Sequence, residues 1–414
     1  MTDRRLTQQA NFAPDAVFLE TGDQRLTYSE VEQRVSVRAR DLGDRTGQQI
    51  VVRPRIDVES VVELLAVTRV GATAVVVSPQ LSHDLAAAQI EAASREARPC
   101  QSVLFTSGSS GGPKGVRFSA ANWEAAAAAS MASLGHGPGD RWLCPLPLHH
   151  VGGLSIILRS LAAGGHVMLA ADLDQASRWL DRVQFASTVP TQLHRILLRR
   201  SDAFTNSPRV LVGGGQVDRW LLDKATTAGL TVLPTYGMTE TTSQVATARS
   251  GDPKRRLFAL HGVEIRIGAE EQIEVKGPTV SLGYVGEPER SQGDWFYTSD
   301  RGRIEPDGSL VVLGRLDRLI ISGGEKVDPS QVETAIGGHP DVVEVAVIGL
   351  PDEEWGELVA AAYAGSPNPE QLRVFIAGQV PNYAVPKRWR LVEALPRTEL
   401  GKVDGAALLS LFDS

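Results

Sequence analysis

VLFTSGSSGGPKGV, residues 103–116, decides how the chain reads. A short apolar strand, Val103-Leu104-Phe105, runs into a loop of serine, threonine and glycine that ends in Pro113-Lys114-Gly115. Glycine admits backbone turns that other residues resist, and it lets amide N–H groups approach an anion closely. Hydroxyls on Thr106, Ser107, Ser109 and Ser110 add donors, Gly108 and Gly111 add freedom, and Lys114 adds a point charge. A polyphosphate tail requires this chemistry. Three other readings fit less well. A P-loop NTPase places Ser or Thr directly after Gly-Lys, whereas here Pro113 precedes Lys114 and Gly115 follows it. Residues 108–112 match the hydrolase elbow G-x-S-x-G with Ser110 central, but that elbow turns straight into a helix. This loop continues instead into the β-like Val116-Arg117-Phe118. A flexible linker needs no Pro-Lys-Gly terminus.

Upstream, residues 26–42 read as a helix, with Thr27 and Glu30 in the spacing of a capping box and apolar Val31, Val35 and Leu42 behind them. Residues 50–52 form a strand candidate, 59–70 a helix and 72–77 a buried strand. Alternation of this kind, continued through most of the chain, predicts an α/β architecture with largely parallel sheets. The texture changes after Gly262. Short β-like runs at 263–267, 272–276 and 309–313 suggest a small β-rich subdomain. Beyond the glycine-punctuated stretch 314–326, helices at 329–336 and 372–378 flank strands at 342–349 and 358–363. The expected division is a large domain over 1–315 and a small one over 316–414.

Composition narrows the class. With 414 residues, 42% hydrophobic and 22% charged, the chain is ordinary for a globular protein of two or three structural units. A net charge of −7 argues against nucleic acid and against a polybasic membrane anchor, so anionic ligands must be held by local devices. Cys100 and Cys144 offer no metal or redox spacing and read as reduced packing thiols. The polar start TDRRLTQQ lacks the apolar run of a signal peptide, and Glu63 and Arg69 interrupt the most apolar stretch. A cytoplasmic protein with no membrane or nucleic-acid partner is expected, and a homodimer is the usual habit of soluble oligomers.

The loop resembles the phosphate-binding signature of the adenylate-forming superfamily, T-S-G-[ST]-T-G-x-P-K-G, with Ser110 where Thr is usual. Further strings match in the superfamily's order. PLPLHHVGGL at 145–154 is similar to the P-L-x-H segment that borders the acyl pocket, which implies substrate contacts at His150 and Gly152. LVGGGQ at 211–216 resembles the glycine turn beneath adenine, at Gly214 and Gly215. In TYGMTE, 235–240, the resemblance implies that Tyr236 and Gly237 meet adenine, Thr239 lies by the α-phosphate and Glu240 holds Mg²⁺. Gly237, Met238, Thr242 and Ser243 are then expected along the acid, with Gln244 beside them. In WFYTSD, 295–300, Asp300 should hold the ribose hydroxyls, although Ser299 replaces the usual Gly. In GRLDRLIISGGEK, 314–326, Arg315 should contact ribose or phosphate, Asp317 should be a hinge, and Gly323 and Gly324 should line the pantetheine tunnel. Arg318 and Lys326 depart there from the common Asp and Asn. In PRTELGKVD, 396–404, Lys402 resembles the catalytic lysine of the small domain.

The resemblance implies an α/β fold. A large N-terminal domain of stacked α/β sheets with a small β-subdomain precedes a small mobile α/β (α+β) C-terminal domain. It also implies the co-substrates ATP and coenzyme A, Mg²⁺, and an acyl-AMP intermediate. Lys402, Lys114, Glu240 and Thr239 would carry the catalysis. Among acids, LPLHHVGGLSIILRSLAAGGHVML and TYGMTETTSQVATA look most like the o-succinylbenzoate–CoA ligases of menaquinone biosynthesis. That acid is a dianion, so a polar or cationic group is expected opposite the adenylate, with Arg159 and Arg195 as candidates. Another aryl or short acyl acid, an adenylation domain that loads a carrier protein, and an inactive binding module are the alternatives.

Overall fold

The computed structural model describes residues 2–96, 98–106, 114–200, 202–217, 219–291, 293–397 and 403–413. By compactness the chain forms two units. The first takes in residues 1–266, 274–296 and 306–310, and the second takes in 267–273, 297–305 and 311–414. The chain therefore passes between them more than once.

Two sheets organise the first unit. In one, the strands Gln49–Val52, Thr73–Val76 and Ser102–Thr106 run parallel. Lys114–Phe118 then returns antiparallel to Ser102–Thr106, and the two-residue strand Gly283–Tyr284 adds antiparallel to Lys114–Phe118. The second sheet has a parallel run, in the order Thr231–Tyr236, Arg209–Val212, Phe185–Thr188, Arg141–Cys144, His166–Leu169, Val17–Glu20. Antiparallel strands flank the run at both ends, Ala246–Ala248 and Leu257–Ala259 on one side and Arg25–Thr27 on the other. The sheets are thus mixed where alternation alone predicts largely parallel ones. Chain reversals within a few residues, such as 106 to 114 and 20 to 25, permit only antiparallel pairing.

One apolar cluster joins the two sheets. It contains Leu104 and Phe118 of the first, Trp142 and Phe185 of the second, and Trp123 and Leu154 of the helices Ala120–Leu134 and Val151–Ala163. Both buried indoles are satisfied: Trp123 Nε1 donates to Ser102 Oγ at 3.0 Å and Trp142 Nε1 to Ser187 Oγ at 3.1 Å. The capping box holds as read: Thr27 and Glu30 close the first turn of Tyr28–Leu42, and Val31 and Val35 are buried. The β-rich stretch after Gly262 is present as Glu264–Ile267, Gln272–Lys276, Phe296–Ile304 and Leu310–Arg315.

The second unit is an α+β arrangement with apolar clusters on both faces of its sheet. Glu325–Val327, Ile320–Ser322, Gly356–Gly365 and Val342–Asp352 pair antiparallel, and Arg388–Leu391 adds parallel to Gly356–Gly365. Ile336, Leu372 and Ile376, from the helices Pro329–Gly337 and Pro369–Ile376, share a core with Val359 and Tyr363 of that sheet. Among the described residues, no helix is long and apolar enough to cross a membrane.

One buried ion network fixes the strand Lys114–Phe118. Arg117, wholly buried, donates to Glu96 Oε2 and to Glu289 Oε2, each at 3.0 Å. Arg98 completes it with a fork onto Glu96, both bonds at 2.7 Å. Hydrogen bonding from Arg98, above all, pulls the Glu96 carboxyl from 4.5 down to about 2. A depressed carboxyl stabilises the fold above its unfolded value, and that contribution fades as pH falls through the folded value. Glu96→Gln should therefore cost on the order of 3 kcal/mol at neutral pH. The gap to the parent should shrink between about pH 4.5 and 2 in urea unfolding. A gap that does not change across that window would refute the network's role.

Candidate active site

The ends of the first hairpin are paired. Thr106 faces Lys114 and Phe105 faces Gly115 in register. Gly115 has no room for a side chain: an added Cβ would meet Val285 at 2.9 Å and Val103 at 3.1 Å. This close approach lets Val285 N–H donate to Gly115 O at 2.8 Å and Leu282 N–H to Arg117 O at 3.0 Å. Gly115 in Pro-Lys-Gly thus serves packing as well as the loop. Ser107, Gly108, Ser109, Ser110 and Gly111 of the loop lie outside the described residues, as does Lys402.

The adenine motif follows the strand Thr231–Tyr236, at the carboxyl end of the parallel run, where open α/β sheets form their crevices. Its turn closes on itself. A Cβ on Gly237 would stand 1.6 Å from the Ser243 carbonyl oxygen, so only glycine fits. Thr242 and Ser243 complete the turn with positive φ of 52° and 89°. Such backbone is costly for residues with a side chain and persists only where neighbours enforce it. They do so here. Thr242 Oγ1 donates to Thr279 O at 2.6 Å, and Ser281 N–H donates to Glu240 O at 2.8 Å. Asn122 Nδ2 donates to Pro278 O at 2.9 Å and Val280 O at 2.8 Å. Segment 278–284 is thereby stitched to the motif. Thr242, read from sequence as an acid contact, is buried with its hydroxyl spent on this stitching. Met238 and Thr239 are partly exposed in the same turn, as is Ser243.

The side chains then converge. Tyr284 Oη donates to Glu240 Oε1 at 2.8 Å, and Lys114 Nζ lies 5.2 Å from the centre of the Tyr284 ring. Lys114 and Glu240, distant in sequence, are brought to one tyrosine. Sequence reasoning missed Tyr284, because no spacing rule ties the Gly-Tyr of 283–284 to either motif.

Gly214 and Gly215 are exposed at the end of Arg209–Val212, and Gly213 packs so closely that a Cβ would meet Thr235 Cγ2 at 2.7 Å. His150 is the N-cap of Val151–Ala163, and its ring centre is 4.0 Å from that of His149. Burial pushes the His149 imidazole from 6.5 down to about 4, which keeps it neutral near pH 7. Gly152 and Gly153 open the same helix, and a Cβ on Gly153 would collide with Pro147 O at 2.3 Å.

Two turns further along this helix, Arg159 is buried. It donates to Ser155 O, Ser155 Oγ, Ser130 Oγ and Gln244 Oε1 at 3.0, 2.6, 3.1 and 2.8 Å, and stacks over Trp142 at 4.9 Å. Burial lowers its pKa to about 10, so it stays charged at neutral pH. Its hydrogen-bond acceptors among the described residues are all uncharged. Arg195, the other candidate, is exposed on Pro190–Leu197.

The second unit gathers its own motif residues. Arg315 forks onto Asp317 at 2.7 and 2.5 Å and stands 3.8 Å from Asp300. Ser299 lies in the regular strand Phe296–Ile304 without positive φ, so the usual Gly is not required there. Gly323 donates its N–H to Trp355 O at 2.8 Å and has φ of 60°, and Gly324 has φ of 85° with open space around it. Both departures find acidic partners: Arg318 pairs with Glu333 at 2.8 Å and Lys326 with Glu270 at 3.0 Å.

Known proteins place the chain in a family. The family AMP-binding enzyme matches residues 87–285, and the AMP-binding enzyme C-terminal domain matches residues 331–402. The chain is 30% identical to a 2-succinylbenzoate–CoA ligase of Bacillus thuringiensis subsp. konkukian (strain 97-27), with 96% of each covered. It superposes on the o-succinylbenzoate CoA synthetase of Bacillus subtilis in complex with the acyl-adenylate intermediate, with a TM-score of 0.87, 26% identity and 96% of each chain covered. The same enzyme in complex with ATP and magnesium ion gives a TM-score of 0.86 at 26% identity, covering 96% of this chain and 98% of that one. With this likeness over nearly the whole length, the chain belongs to the AMP-binding family of adenylate-forming enzymes.

Proposed function

We propose that the chain is an AMP-forming acid–CoA ligase that converts 2-succinylbenzoate, ATP and CoA to 2-succinylbenzoyl-CoA, AMP and pyrophosphate, a step of menaquinone biosynthesis. The observation that carries the choice of acid is Arg159. Among the described residues this buried guanidinium has only neutral acceptors, and buried charges are costly unless paired. Its partner Gln244 lies four residues beyond the adenine motif. A dianionic acid with a second, unreacted carboxylate supplies the missing charge.

In the first step a carboxylate oxygen of the acid attacks the α-phosphorus, and pyrophosphate departs with the bond's electrons. No side-chain nucleophile is needed. Lys114 stabilises the polyphosphate, Lys402 bridges the attacking carboxylate and the α-phosphate, and Thr239 sits by that phosphate. Tyr236, Gly214 and Gly215 take the adenine, and Asp300 and Arg315 the ribose. Mg²⁺ commonly binds one or two carboxylates, with phosphates and water filling its shell. Glu240 fits that habit, since its Oε1 is engaged by Tyr284 and no described residue bonds Oε2. The metal ion would supply charge neutralisation on the polyphosphate. In the second step the CoA sulfur attacks the acyl carbon and AMP departs. The Gly323-Gly324 loop serves the pantetheine arm, and rotation about Asp317 separates the two steps.

Pyrophosphate release over a panel of acids tests the reading. 2-Succinylbenzoate should be preferred, and CoA should convert the adenylate to thioester. A carrier-loading enzyme would make adenylate but no CoA thioester. Arg159→Lys should lower kcat/KM for 2-succinylbenzoate about 10- to 100-fold, the scale of a lost charged hydrogen bond. It should have far less effect on 3-benzoylpropionate, which lacks the ring carboxylate. Equal losses on both acids would make Arg159 purely structural. Asp317→Pro should slow thioester formation and spare adenylate formation. Loss of both steps, or of neither, counts against the hinge.

A further inference from the structure

We infer that Tyr284 is a positioning residue that sets Glu240 and Lys114 together for ATP and its divalent cation. The inference rests on the reading of Glu240 as a cation ligand. Tyr284 does two jobs with two parts of one side chain. Its hydroxyl donates to Glu240 Oε1 at 2.8 Å. Its ring face carries the Lys114 ammonium, 5.2 Å from the centroid. A tyrosine face attracts a cation through the ring quadrupole, and a phenol bonded to a carboxylate makes a charge-assisted hydrogen bond.

The backbone around Tyr284 is held more firmly than a loop tyrosine requires. Gly283 and Tyr284 pair in register with Arg117 and Val116. Val285 N–H reaches Gly115 O, the residue after the lysine, because Gly115 has no Cβ in the way. Ser281 N–H holds the Glu240 main chain at 2.8 Å. Tyr284 therefore reports the position of the lysine strand to the carboxylate. With Oε1 occupied, the carboxylate has one oxygen left for a cation and loses little rotamer freedom when the cation arrives.

Two substitutions separate the jobs. Tyr284→Phe keeps the ring and removes the hydroxyl, and Tyr284→Leu removes both. ATP binding to the full-length protein is measured by calorimetry across a Mg²⁺ titration and again in EDTA. Thermal unfolding and circular dichroism serve as controls. Tyr284→Phe should raise the Mg²⁺ midpoint about tenfold or more, in line with one charge-assisted hydrogen bond, and leave ATP binding in EDTA unchanged. Tyr284→Leu should also weaken binding in EDTA, by roughly threefold. In a Glu240→Gln background, Tyr284→Phe should add nothing to the Mg²⁺ shift.

An unmoved Mg²⁺ midpoint in Tyr284→Phe overturns the inference. So does a fully additive effect in the Glu240→Gln background, and so do equal losses for Phe and Leu in EDTA, which would mean packing alone. Failure of the parent reading looks different: the unsubstituted protein would bind ATP with no Mg²⁺ dependence, or would not bind it.

Discussion

Gly237 has space only for hydrogen, because the Ser243 carbonyl oxygen would stand 1.6 Å from any Cβ there. At Gly115 an added Cβ would meet Val285 Cγ2 at 2.9 Å, a milder but still unfavourable contact. These two contacts allow three stretches of chain to lie against one another: the strand after the phosphate loop, the adenine turn and segment 278–284. Asn122, Thr242 and the Glu240 carbonyl then lock the third stretch with hydrogen bonds. Without the two glycines, Lys114, Glu240 and Tyr284 would not share one place. Thr242 and Ser243 carry positive φ as the local cost of closing the turn.

Two buried arginines show how charge is divided between fold and function. Arg117 is answered by Glu96 and Glu289, and Glu96 is answered again by Arg98, so that network is closed and structural. Arg159 is equally buried, yet its described partners are two serines and Gln244, all neutral. An arginine has five N–H donors, and the bonds of Arg159 to described residues account for four of them. Within one unit, then, one buried arginine has carboxylate partners and the other, among the described residues, has only neutral ones.

Local signals were the legible ones. The Thr27–Glu30 cap, the β-like exit of the loop at residues 116–118 and the helix opened by Pro329 each follow from chemistry within a few residues, and each is present. Motif strings carried the family. Three features escaped. The mixed character of the sheets depends on short reversals that periodicity does not encode. The tie of the Thr242 hydroxyl to a carbonyl 37 residues away is not written in any spacing. Tyr284 looked like nothing in particular, because its partners are Glu240, 44 residues distant, and a lysine in another motif. Such pairings arise only when the chain has folded, and composition and spacing are silent on them.

The central claim is that a carboxylate oxygen of the acid attacks the α-phosphorus of ATP. The most direct measurement follows that oxygen. 2-Succinylbenzoate labelled with ¹⁸O in its succinyl carboxylate is turned over with ATP and CoA, and the nucleotide product is read by ³¹P NMR. The account predicts AMP carrying one ¹⁸O from the acid, released when sulfur displaces it from the acyl carbon. Unlabelled AMP, or ADP in its place, would contradict it.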